Sequence, residues 1–227
     1  MKPTIKPVLL ALTLMLLSSQ CSGLQSPVSP ENDTVDTQIN NPAMTINDFP
    51  LEELSKKEIE GLIFMREEEK LARDVYALLY SEWGQRIFLN ISKSEDTHTT
   101  AVKSILDRYD IPDPVGEDTP GEFTDSTLSQ LYHTLVEAGR QSLIDGLKVG
   151  AAIEEIDILD LRHQLDEVVD NEDIIFVYEN LLKGSENHLR AFVRNLERQG
   201  VDYQPQHLSK TDYQAIITSA AGNGRPW

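Results

Sequence analysis

Cysteine is nearly absent from this chain: among 227 residues the one example is Cys21. That excludes an internal disulfide framework and a cysteine-cluster metal site, so the folded part must draw its stability from an apolar core or a bound metal. Basic residues are scarce as well, with 20 Lys and Arg against 38 Asp and Glu and a net charge of −18. A surface of that sign is a poor partner for nucleic acid or anionic lipid. Beyond residue 20 there is no apolar run long enough to cross a bilayer. A Gly-rich phosphate loop, a Ser-His-Asp arrangement and strand-length alternation are missing too.

What is there begins with residues 1–20, where Lys2 and Lys6 precede the apolar run Val8–Leu17 and the pair Ser18-Ser19. This is the order of a secretory signal peptide, and the run is about half the roughly 20 residues that a spanning helix needs. Leu17-Ser18-Ser19-Gln20-Cys21-Ser22 resembles the processing box of a bacterial lipoprotein. The resemblance implies a lipidated Cys21 at a new N-terminus, export to the cell envelope or periplasm, and attachment to the membrane through the lipid. Gln20 departs from the small residue usual before the cysteine, and ordinary cleavage nearby would leave Cys21 a bystander. Loss of Lys2 and Lys6 with the signal takes the net charge from −18 to about −20. Residues 21–50, rich in Ser, Pro, Asn, Asp and Thr without an apolar period, read as a flexible tether.

The remainder divides into a domain over residues 51–204 and a C-terminal extension over 205–227 with a short helix near Ser209–Ser219. Ser55-Lys56-Lys57-Glu58 is a capping-box pattern, and the helix it opens runs to about Trp83 and stops at Gly84. Its inward stripe is Leu62, Met65, Glu69, Ala72, Tyr76 and Leu79. A second helix runs from Gln85 or Ile87 to Tyr109, with Phe88, Ile91, Glu95, His98, Val102 and Ile105 on its stripe, and ends ahead of Pro112. The proline- and glycine-rich stretch 111–121 is a long crossover, followed by a short helix Ser126–Ala138. Ser142–Val169 and Glu172–Arg198 are the third and fourth long helices, with Leu147, Ala151, Glu154, Ile158 and Leu161 on one stripe and Ile174, Tyr178, Leu181, Ser185, His188 and Phe192 on the other. The pattern predicts an all-α, antiparallel four-helix bundle.

Each stripe carries a residue foreign to a plain core: Glu69, then Glu95 and His98, then Glu154, then His188. Burying an ionised carboxylate without a partner costs several kcal/mol, so such residues are expelled or neutralised. Glu95 and His98 are three apart and share one face, and a Glu-x-x-His pair opposite another glutamate suits a di-iron carboxylate site. A network without metal, in which Arg73 or Arg162 pairs with these carboxylates, is the competing reading. The triplet Glu67-Glu68-Glu69 is expected to be mainly a solvated acidic face, with Glu69 on the stripe and Glu68 its substitute. Tyr76 either donates a hydrogen bond to a ligand or is a core aromatic. His133, His163 and His207 fall outside the stripes and receive no role.

The stretch Glu69-Lys70-Leu71-Ala72-Arg73-Asp74-Val75-Tyr76 and the later Glu95-Asp96-Thr97-His98 resemble rubrerythrin and ferritin. With Met65–Glu68, the Gly84 turn and Gly184-Ser185-Glu186-Asn187-His188-Leu189-Arg190-Ala191-Phe192, the pattern is similar to an uncharacterised family of prokaryotic ferritin-like domains. The resemblance covers about residues 51–204. It implies two iron ions, with manganese as an alternative, held by Glu69, Glu95, His98, Glu154 and His188. The expected activity is that of an iron-dependent oxidase or peroxidase with an unidentified reductant. The alternative is a non-catalytic, envelope-tethered bundle that buffers metal or docks a partner. The second half departs from the pattern: Ser185 stands where a second Glu-x-x-His needs glutamate, leaving Glu155, Asp157, Glu186 or water to complete the set.

Overall fold

Ser55 opens the first helix as its sequence demands. Its hydroxyl accepts from the Glu58 amide at 3.2 Å, and the Glu58 carboxylate accepts from the Ser55 amide at 2.7 Å. The computed structural model describes residues 44–219, so the signal segment and Cys21 lie outside the described residues. Helix α1 spans Lys56–Trp83 and ends at Gly84, whose left-handed φ of 62° suits a residue without Cβ. The two-residue turn leads into α2, Arg86–Arg108. After the crossover come α3, Ser126–Gly139, and α4, Leu143–His163, capped by the Asp125 and Ser142 side chains. Helix α5 is Glu172–Arg198 and α6 is Lys210–Thr218. Among the described residues there are six α-helices and no strand.

Helices α1 and α2 pack along their lengths, as do α4 and α5; α2 also meets α5, and α1 meets α4. Helix α3 lies over α1 and α4, and α6 packs on α5. At one level Leu62, Met65, Val102, Ile105, Leu161, Ile174 and Leu181 form a dry core. At another, the Phe192 ring sits 5.3 Å from Tyr76 and 5.9 Å from Phe88.

The third long helix ends differently from its sequence pattern. Its α-helical part stops at His163 and residues Gln164–Val168 form one π turn. The Gln164 amide lies over Gly61 of α1, where a Cβ would stand 2.3 Å from its Oε1. A bare glycine thus admits the widened turn.

The expectation of a solvated Glu67-Glu68-Glu69 face is wrong, because all three side chains are buried. The crossover folds back on the second face of α1 and is tied there by charge. Glu67 accepts from the amides of Thr124 and Asp125. Lys70, fully buried, donates to Asp74 at 2.6 Å and to the carbonyls of Thr119 and Glu122 at 2.8 and 3.1 Å. Arg66 makes a two-pronged contact with Asp113, and Arg73 does so with Asp118. These bonds satisfy a loop that has no ladder of its own.

Candidate metal centre

Four helices bring the five stripe residues together: Glu69 from α1, Glu95 and His98 from α2, Glu154 from α4 and His188 from α5. All are buried. They form two triads, Glu69–Glu95–His98 and Glu95–Glu154–His188, and within each the ligand-type atoms lie within 4.8 Å of one another. Glu95 belongs to both. Its Oε2 is 2.8 Å from His98 Nδ1 and its Oε1 is 2.8 Å from His188 Nδ1. Glu69 Oε2 is 3.3 Å from His98 Nδ1, and Glu154 Oε2 is 3.4 Å from His188 Nδ1. The imidazoles stack with centroids 5.4 Å apart.

Both histidines turn Nδ1 toward the carboxylates. His188 Nε2 is 3.0 Å from Ser94 Oγ. The His98 ring abuts Gly184, where a Cβ would stand 2.5 Å from Nε2. Tyr76 donates to Glu154 Oε1 at 2.6 Å, fixing that carboxylate from α1. Glu69 Oε1 has no hydrogen-bond partner. Glu95 Oε1 and His188 Nδ1 are close but not aligned as a hydrogen bond, so both remain open to a further group between them.

Without metal, protons neutralise the cluster. Burial works against a charged His188, but Glu95 and Glu154 override it and raise its pKa to about 10. Burial likewise opposes a charged His98, and Glu95 and Glu69 push its pKa well above the usual value. Burial would raise Glu95, yet His188 and His98 hold it well below the carboxylate range. Glu69 is raised to about 7, by burial against the pull of His98. Glu154 is raised by burial and by Glu95.

The family described as an uncharacterized protein domain, DUF2202, matches residues 58–220. The chain belongs to this family. The matched span contains all five gathered residues. The domain is also 54% identical, over 179 residues, to an uncharacterized protein of Methanocaldococcus jannaschii designated MJ0754, covering 79% of this chain and 96% of the relative. A crystal structure titled as hypothetical protein MJ0754 from Methanococcus jannaschii superposes with a TM-score of 0.74 at 55% identity, covering 76% of this chain and 98% of that one.

Other acids and bases of the DUF2202 domain take different places. Glu155 faces away, accepting from Tyr203 Oη at 2.6 Å and from the amides of Gln206, His207 and Leu208. Glu186 pairs with Arg162 at 3.2 Å. Arg73 meets Asp74, Asp96 and Asp118, and Arg162 also nears Asp212. Both arginines are thus engaged by other carboxylates than the gathered ones. Glu68 lies against Asp160 and Asp157 of α4, and its Oε2 has no hydrogen-bond partner. His133 stacks edge-on with Tyr132, His163 lies 3.5 Å from Glu167, and the His207 amide donates to Glu155. Sequence reasoning missed Ser94 and Gly184. A glycine inside a helical pattern signals close approach, and Gly184 carried that signal; nothing marked Ser94.

Proposed function

We propose that the domain is a ferritin-like four-helix bundle whose buried carboxylates and histidines hold two divalent cations, iron in the working protein. The observation that carries this reading is the single Glu95 carboxylate offering one oxygen to each histidine triad. The donor set fits: three carboxylates and two imidazoles suit iron or manganese, and atoms on Glu69, Glu95 and His188 make no hydrogen bond. Bound ferrous iron would supply the electrons for reducing O2 or peroxide, itself becoming ferric; where further ferrous iron is the substrate, O2 or peroxide would be the oxidant that takes its electrons.

The chain's own residues prepare that chemistry. His188 Nε2 lies 3.0 Å from Ser94 Oγ; with Nε2–H donating there, Nδ1 is the nitrogen that would ligate once its own proton is lost. Tyr76 orients Glu154, and the apolar layers on either side keep bulk water out. His98 and His188 would give up their Nδ1 protons on ligating a cation, so binding would release protons. A lipid anchor at Cys21 would place this activity in the cell envelope, with an unidentified reductant; Cys21→Ser should then move the protein out of the membrane fraction.

The test is metal content after growth in iron- and manganese-supplemented medium, followed by anaerobic ferrous loading and exposure to O2. The oxidase reading expects O2 consumption above buffer with a transient visible band. Binding without either outcome would make the protein a metal buffer, and no binding would end the reading.

A further inference from the structure

Asp157 lies on α4 three residues beyond Glu154, and is 5% exposed. Its Oδ2 meets the Ser185 hydroxyl, while Oδ1 has no hydrogen-bond partner. Glu69, Glu154 and Glu95, three of the gathered carboxylates, bear on it electrostatically, as does Glu68. The nearby bases are committed elsewhere: Arg66, Lys70 and Arg73 hold the crossover, and Arg162 holds Glu186. Once ionised, a carboxyl this deep with one oxygen unanswered calls for a cation beside it.

Charge counting points the same way. Two divalent ions bring four positive charges, whereas the two triads contain three carboxylates, Glu69, Glu95 and Glu154, beside neutral imidazoles. An uncompensated positive charge in a dry interior is costly. Glu68, whose Oε2 also lacks a hydrogen-bond partner, lies against Asp160 and Asp157 and bears on Glu69 alone among the gathered carboxylates, whereas Asp157 bears on all three. Glu155 and Glu186 face other partners.

We infer that Asp157 is the fourth carboxylate of the metal pair, turning from Ser185 toward the ion on the Glu69 side when metal binds. This rests on the two-ion reading above. The movement is a side-chain rotation: Asp157 stands outside the two triads, and its one recorded side-chain hydrogen bond is to Ser185. Ser185 keeps a second partner, the Leu181 carbonyl at 3.0 Å, so its hydroxyl is not orphaned when the carboxylate leaves.

The experiment is anaerobic equilibrium dialysis of ferrous iron against the full chain, Asp157→Asn and Ser185→Ala, with helix content checked by circular dichroism. The parent should bind two ions. Asp157→Asn should keep one and weaken the other more than about 100-fold, beyond the about 10–100-fold typical of outer partners. Ser185→Ala should bind both within about tenfold of the parent. Parent-like binding by Asp157→Asn overturns the assignment, as does an equal loss in Ser185→Ala, which would make the pair structural. A parent that binds no iron sinks the two-ion reading instead. Should Asp157→Asn lose its helices, crystals of the manganese-loaded parent decide: an Asp157 oxygen bonded to the ion supports the assignment, and one still on Ser185 overturns it.

Discussion

Glu95 Oε1 faces His188 Nδ1 at 2.8 Å across the α2–α5 contact, while its second oxygen faces His98 at the same distance. One side chain thus couples the two halves of the chain, which otherwise pair as α1 with α2 and α4 with α5. Removing it affects both halves at once.

Glu95→Ala is expected to abolish binding of both cations. It also leaves two buried imidazoles without the carboxylate they share, and breaking a buried ion pair from one side costs about 3–5 kcal/mol. The metal-free variant should therefore unfold at lower urea than the metal-free parent. Unchanged stability would mean that Glu95 does not pair with charged histidines.

Tyr76→Phe deletes the hydroxyl that donates to Glu154 at 2.6 Å and lies 3.2 Å from the Gly150 carbonyl, both buried. Leaving those acceptors unsatisfied costs about 1–3 kcal/mol. Metal affinity should fall about 10–100-fold, in the position that Glu154 serves. Urea melts and iron titration of the variant check the two halves of this expectation separately.

The helices were legible because their signals are local. The Ser55–Glu58 box, Gly84 and Pro112 mark ends, and spacings of three and four put Glu69, Glu95, His98, Glu154 and His188 on inward faces. Burial of Glu67 and Lys70 was not legible, because it depends on residues 119–125 folding back over α1, and that of Glu68 because it depends on Asp157 and Asp160 of α4 coming against α1. Glu155 was ambiguous for the same reason: the amides that claim it belong to residues 206–208, some fifty positions on. The π turn depends on the contact between Gln164 and Gly61, a hundred residues apart in the chain. Stripe reasoning sees one face of one helix at a time, and each of these features needs two.

Gly184→Ala tests whether His98 is held by shape. The added Cβ would stand 2.5 Å from His98 Nε2 and 2.6 Å from Cε1, so the ring must shift. Alanine gains up to about 1 kcal/mol in helix propensity, against about 1–3 kcal/mol for overpacking. Helix content should persist while the cation served by His98 binds more weakly than the one served by His188. Equal affinity for both would show that the ring has room to move.

The metal-free protein should be more stable in acid than in mild alkali, within the window its buried groups define. Glu69 is raised from 4.5 to about 7 and His188 from 6.5 to about 10, so in both cases the folded state binds its proton more tightly than the unfolded chain. The stability contributed by such a group is fully present below its unfolded pKa and is lost as pH rises through the folded one. The Glu69 contribution accordingly fades between about pH 4.5 and 7, and that of His188 between about 6.5 and 10. Glu95 works in reverse: its pKa is depressed, so its contribution is present above its unfolded value of 4.5 and weakens only in stronger acid. Metal replaces the histidine protons, so affinity should rise with pH over the range in which the metal-free protein loses stability. Urea midpoints from pH 5 to 10, with and without manganese, check both slopes. A metal-free midpoint that climbs with pH through this range would show that His98 and His188 are neutral in the folded protein and that the cluster is not balanced by their protons.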